Sequence, residues 1–172
     1  MKYGSLFSRG EYVLFADADG ATDINSLEKV IQGCKKAEKN GVSCAIGSRY
    51  QDESHAERNL FRRFLSLGHN TLVKFVLRNN IKDTQCGFKI FSREAAKRIF
   101  PTQHLERWAF DIEVLMLCGA KNIPIVEVGV DWQEIDGSHL NVVDATLTMM
   151  RDMVLIKLLY AFGLWGYEDI AY

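Results

Sequence analysis

Five consecutive apolar residues, Tyr12-Val13-Leu14-Phe15-Ala16, run straight into Asp17-Ala18-Asp19-Gly20. A short apolar run without alternation suits a strand covered on both faces, as in a parallel sheet. The acids then fall in the loop at its C-terminal end. Leu27, Val30, Ile31 and Cys34 follow at i, i+3, i+4, i+7, a helical spacing, with Asn25 and Glu28 placed as a capping box and Asn40-Gly41 as the stop. Residues 42–46 give a second buried strand ending in polar Gly47-Ser48-Arg49. Strand, helix, strand with polar strand ends predicts an α/β fold, mostly parallel sheet flanked by helices.

The rest of the chain continues the pattern. Residues 55–79 read as an amphipathic helix with Arg58, Arg62 and Arg63 on its first turns. Residues 87–91 suit a strand, and Ser92 caps a short helix closed by Pro101. Residues 111–118 form a helix that Gly119 stops, and residues 123–132 a strand with one wetter face, Val126, Val128, Val130 and Trp132 alternating with polar positions and Gly129. A last helix over residues 141–163 carries Val143, Leu147, Met150, Val154 and Leu158 on one stripe. That stripe suits packing on the core, or contact with a membrane surface. One domain is expected over residues 1–172.

Composition removes several function classes. Twenty-one Lys+Arg against 22 Asp+Glu leave a net charge of −1, without the electrostatic footprint of nucleic-acid binding. Cys34, Cys44, Cys86 and Cys118 form no C-x-x-C pair and match no common zinc spacing, so reduced thiols are expected. The longest apolar stretch, near the C-terminus, is interrupted by Lys157 and falls short of the ~20 residues that span a bilayer. The first ten residues hold no long apolar segment of the signal-peptide kind.

Four groups of residues can carry chemistry. Asp17 and Asp19 can point oxygen ligands at one hard cation, Mg²⁺ or Mn²⁺, with positions left for a diphosphate. The plain alternative is a solvated Asx turn. A calcium loop through Asp23, Asn25 and Glu28 fails at Thr22, where glycine is needed. A phosphatase of the haloacid dehalogenase type would place Thr directly after Gly20, where Ala21 stands. Arg58, Arg62 and Arg63 share a helix side and suit a phosphate, or simply solvent with Glu57 as partner. Asp83 and Gln85 precede Gly87 and can line a pocket, while Cys86 reads as a buried structural thiol. Trp108 stands beside Asp111 and Glu113, an aromatic face with carboxylates that suits a sugar. Both acids also suit a helix N-terminus. His55, His69, His104 and His139 are scattered.

Taken together, the strings Ala16-Asp17-Ala18-Asp19-Gly20-Ala21-Thr22, Gly47-Ser48-Arg49, Asp83-Thr84-Gln85-Cys86-Gly87-Phe88-Lys89, the segment from Glu106 to Glu113, and Asp131-Trp132-Gln133-Glu134-Ile135-Asp136-Gly137-Ser138 are distinctive. In this order they resemble the dolichyl-phosphate glucosyltransferase group of the inverting family 2 glycosyltransferases, which have the GT-A fold. The resemblance implies transfer of glucose from UDP-glucose to dolichyl phosphate at the cytosolic face of the endoplasmic reticulum, feeding lipid-linked oligosaccharide assembly and protein N-glycosylation. It implies a metal–diphosphate role for Asp17 and Asp19. Gly47, Ser48, Arg49, Gln85, Trp108 and Glu113 would be binding residues, with Asp83, Gln85 and the segment from Trp108 to Glu113 lining the sugar and acceptor side, and Arg58, Arg62 and Arg63 would take the acceptor phosphate. Asp83 or Asp111 would act at the reacting centre, and the alternative between them stays open here.

Only 11 residues precede the Tyr12 strand. Against the family pattern, the chain is expected to be the C-terminal portion of the catalytic domain, without the first βαβ units and their uridine-contacting acid. Its first strand is then expected at a sheet edge. Besides the glucosyltransferase, two readings stay open: a catalytically impaired remnant acting as a binding partner, and a family 2 transferase using another sugar such as mannose.

Overall fold

A computed structural model of the chain describes residues 1–49, 71–74, 76–77, 81–106, 109–133, 135 and 142–167. Its elements run α1 (Lys2–Phe7), β1 (Tyr12–Ala16), a 3₁₀ turn (Ile24–Ser26), α2 (Leu27–Ala37), β2 (Cys44–Ser48), β3 (Phe88–Ser92), α3 (Arg93–Ile99), α4 (Phe110–Ala120), β4 (Ile125–Gly129) and α5 (Val142–Ala161). Residues 71–74 and 76–77 are also helical.

The α/β class is as expected, but the sheet is mixed rather than mostly parallel. Its order is β1-β3-β2-β4. β3 runs antiparallel to both β1 and β2, and among the described residues only β2 and β4 are parallel. Periodicity shows that a segment is a strand without showing its direction, so the inserted antiparallel β3 carries no sequence mark. Among the described residues β1 pairs with β3 alone, at the edge of the sheet: Val13 is buried while Leu14 is exposed.

Local chemistry explains most boundaries. Asn40 and Gly41 both take positive φ, as a two-residue hairpin turn requires, and Lys39 and Val42 exchange backbone hydrogen bonds of 3.1 Å across it. Ser92 Oγ accepts from the Ala95 amide at 3.3 Å and caps α3 as expected. The capping box at Asn25 does not form. Asp23 accepts from the Asn25 amide at 2.9 Å instead, and a 3₁₀ turn leads into α2. β2 extends two residues beyond the expected strand and takes in Gly47 and Ser48. β4 is shorter than expected, and all five of its residues are half-buried rather than alternating. α4 runs through Gly119 to Ala120 and ends where Asn122 takes positive φ.

The core lies between the sheet and its helices. α2 packs on β4 so closely that a Cβ on Gly33 would sit 2.5 Å from Val128 Cγ2. On the sheet face carrying Phe15 and Lys89, the first turn of α4 packs over β1 and β3, with Phe15 and Phe110 edge to face at 5.2 Å. α5 buries Met149, Met153, Ile156 and Tyr160. Of the expected stripe, Met150 packs against the core, while Leu147, Val154 and Leu158 are 51%, 47% and 47% exposed. The helix is apolar on two faces, and burial selects a face that the stripe did not single out.

Candidate functional site

Strand direction assembles the site. β1 ends where β3 begins, since Ala16 pairs with Phe88. The parallel strands β2 and β4 finish level with each other, Ser48 opposite Gly129. The segments after β1, β2 and β4 and the segment before β3 thus converge at one end of the sheet. Four strings that are distant in sequence meet there.

Asp17 is the first group placed. Its amide donates to the Gly87 carbonyl at 2.8 Å, and its carboxylate occupies the space where a Cβ on Gly87 would be, only 1.8 Å from Oδ2. Burial, followed by the neighbouring Asp19, pushes its pKa above the usual value, while Lys89 and Arg49 pull it down. Asp19 Oδ1 accepts from the Ala21 amide at 2.9 Å, and Gly20 takes positive φ, which fixes the loop in an Asx turn. The turn expected as an alternative to a metal site is thus present, and it orders the loop that carries both acids. The loop is also tied to the segment after β4: Asp23 N donates to Asp131 O, Gln133 N donates to Ala21 O, and Thr22 bridges Trp132.

Asp83 is buried and fully engaged. Arg49 donates to it from Nε and Nη2 at 2.8 Å each, and from its backbone amide at 3.0 Å. The planar guanidinium fork suits this bidentate contact. The same guanidinium lies 5.5 Å from the Trp132 ring centre. Glu127 Oε1 accepts from the Lys82 and Asp83 amides at 2.9 Å each, holding the segment that presents Asp83.

Asp111, on the first turn of α4, is buried. Lys89 Nζ lies 2.7 Å from its Oδ1. Burial raises the Asp111 pKa, Lys89 opposes that rise, and the Asp17 and Asp83 charges add to it. Asp17, Asp83, Asp111, Arg49 and Lys89 therefore form one electrostatic group, with Asp19 beside Asp17.

Other expected site residues lie elsewhere. Glu113 is two residues from Asp111 and so points to another side of α4. It accepts from the His104 and Leu105 amides, at 2.9 and 2.6 Å, and from Tyr160 Oη of α5 at 2.9 Å. His104 stacks on Trp165 with ring centroids 4.4 Å apart. Glu113 thus joins the segment before α4 to α5 instead of facing Asp17. Gln85 Nε2 contacts Met149 Sδ, which turns its amide toward α5. Gly47 and Ser48 lie within β2; a Cβ on Gly47 would meet Cys86 Sγ at 2.9 Å, and Ser48 O accepts from Val130 N at 3.1 Å. Cys86 is buried, and burial pushes its thiol up to about 11, as befits a structural residue. Arg58, Arg62, Arg63 and Trp108 lie outside the described residues.

Two site residues escaped the sequence reading. Lys89 stands between Phe88 and Ile90 in a fully buried strand, and that misplaced charge was its signal. Trp132 read as an alternating strand residue and as part of the string from Asp131 to Ser138, with no role of its own. Its partner Arg49 is set by the fold.

Asp17 and Asp19 fit a hard divalent ion. They are oxygen donors on one ordered loop, and the mutual charge that raises Asp17 is what a cation relieves. Among the described residues no three His, Cys, Asp or Glu side chains gather as a closed metal cage. Two protein carboxylates leave coordination positions for phosphate oxygens and water.

A family model described as Glycosyl transferase family 2 matches residues 1–100. The chain is 46% identical over 168 residues to a dolichyl-phosphate beta-glucosyltransferase of Dictyostelium discoideum, covering 96% of this chain and 51% of that protein. It is 44% identical over 173 residues to that of Homo sapiens, covering 98% and 53%, and 39% identical over 175 residues to that of Saccharomyces cerevisiae, covering 96% and 52%. The chain thus spans about half the length of the curated relatives it matches. With the paired acids after β1 inside the matched region, the chain belongs to glycosyl transferase family 2.

Proposed function

We propose that the chain is part of a dolichyl-phosphate β-glucosyltransferase, the C-terminal portion of a GT-A catalytic domain that transfers glucose from UDP-glucose to dolichyl phosphate. The observation that carries this reading is Asp17 seated on Gly87, which brings the loop with Asp19 to the segment that bears Asp83. The names of the relatives support the reaction class and the acceptor.

Asp17 and Asp19 would hold Mg²⁺ or Mn²⁺, and the ion would supply positive charge to compensate a leaving diphosphate. The acceptor is a phosphate monoester whose second pKa is near 6, so its attacking oxygen is already ionised at neutral pH. Little general-base work is left, and positioning and charge compensation dominate. Asp111 is the better candidate at the reacting centre, because both oxygens of Asp83 are committed to Arg49. Arg58, Arg62 and Arg63 bind the acceptor phosphate.

The exposed Leu147, Val154 and Leu158 face of α5 suits a lipid surface, where a polyprenyl acceptor resides. Among the described residues no helix is long and apolar enough to cross a membrane. The cytosolic face of the endoplasmic reticulum is the site of action in this reading, and protein N-glycosylation the process served.

The test is a chimera in which this chain replaces its matched region of the human relative. With Mn²⁺, dolichyl phosphate and labelled UDP-glucose, the chimera should form label extractable into organic solvent, and D17N should abolish it. Label from GDP-mannose instead would favour the other-sugar reading. No transfer from either donor by a folded chimera would favour the impaired remnant.

A further inference from the structure

Lys89 is fully buried in the middle of the sheet, paired across β3 with Phe15 on β1 and Ile46 on β2. Its ammonium donates to the Cys86 carbonyl at 2.6 Å and lies 2.7 Å from Asp111 Oδ1. A buried lysine is costly unless its charge is compensated, and it tethers whatever compensates it. Here the compensating group sits on the first turn of another element, α4. The Lys89 charge is also felt at Asp17. Packing alone would be served as well by methionine, which fills similar space with no charge to desolvate. The Cys86 carbonyl takes a hydrogen bond from the ammonium, and the otherwise unpartnered Asp111 Oδ1 lies within ion-pair distance of it.

We propose that Lys89 is a positioning residue of the transferase site: it fixes Asp111 against the sheet and offsets that carboxylate's charge beside the metal-holding acids. This rests on the metal role given above to Asp17 and Asp19. Asp111 and Lys89 then form a neutral unit, each member of which acts electrostatically on Asp17. Removing the carboxylate alone exposes the ion site to an uncompensated ammonium. Removing both leaves the local charge where it began.

The experiment uses the 172-residue chain, Mn²⁺ alone as the probe, and electron paramagnetic resonance of free Mn²⁺ at pH 6.5. Thermal unfolding is followed in parallel, to establish that each variant is folded. D111N should weaken Mn²⁺ binding at least about tenfold, because it removes a carboxylate charge that acts on Asp17 and leaves the Lys89 ammonium uncompensated. K89M/D111N, which carries neither charge and so burdens the fold least, should return to within about twofold of the unmutated chain. A lysine that merely packs predicts that the double variant binds as weakly as D111N, and that result overturns the proposal. Failure of the unmutated chain to bind Mn²⁺ overturns the metal assignment itself, and this inference with it.

Discussion

Asp17 and Gly87 occupy one site between them: the amide of the first donates to the carbonyl of the second at 2.8 Å, and the carboxylate of the first fills the space a side chain on the second would take. A glycine before β3 is therefore a condition for the acid after β1. G87A should displace Asp17 and reduce Mn²⁺ affinity at least about tenfold, comparable to D17N. Because Gly87 is outside the regular strand, its melting temperature should fall by only a few degrees, about 1 kcal/mol. Mn²⁺ titration alongside a thermal melt checks both.

Burial and the neighbouring Asp19 disfavour the ionised form of Asp17, so its charge opposes folding in the metal-free chain. Its folded pKa is raised above the ordinary carboxylate value. Its contribution is therefore absent at pH below about 4, and stability is lost as pH rises from there through the raised folded value. D17N should raise the melting temperature of the metal-free chain at pH 7, and the gain should shrink toward zero as pH falls below about 4. Melts of both forms across pH 3.5–7.5, with chelator present, measure it; an equal difference at every pH would count against this account.

The bidentate contact of Arg49 with buried Asp83 should tolerate lysine poorly. R49K keeps the charge but loses the fork, and is expected to destabilise the chain by about 1–3 kcal/mol in urea unfolding.

Glu113 makes its contacts through a fully buried carboxylate. Y160F removes one donor and should cost about 1 kcal/mol, whereas E113Q turns an amide NH₂ toward backbone donors and should cost about 3 kcal/mol. Neither residue faces Asp17, so Mn²⁺ affinity of the folded variants should stay within about twofold of the unmutated chain.

Cys86 should be inert despite its place in the site segment. With its thiol pushed up to about 11, about one molecule in a thousand carries thiolate at pH 8. Aromatic disulfide reagents should label it only on unfolding, and C86A should keep Mn²⁺ binding.

Much of this was legible in the chain itself. The apolar run before Asp17, the Asn40-Gly41 turn and the Ser92 cap are local: a few neighbouring residues and their backbone preferences suffice to set them. The order of motifs was equally local, and it marked Asp17, Asp19, Asp83 and Asp111 before any geometry was known. Tertiary structure decided what local preference leaves free. It turned β3 antiparallel between β1 and β2, which brought Gly87 beneath Asp17 and Lys89 beside Asp111. It chose which apolar face of α5 to bury, and it sent Glu113 to Tyr160 while its neighbour two residues away faced Lys89. Strand direction, the choice between two apolar faces and the pairing of buried charges depend on contacts made across the sequence, and no window of neighbouring residues contains them.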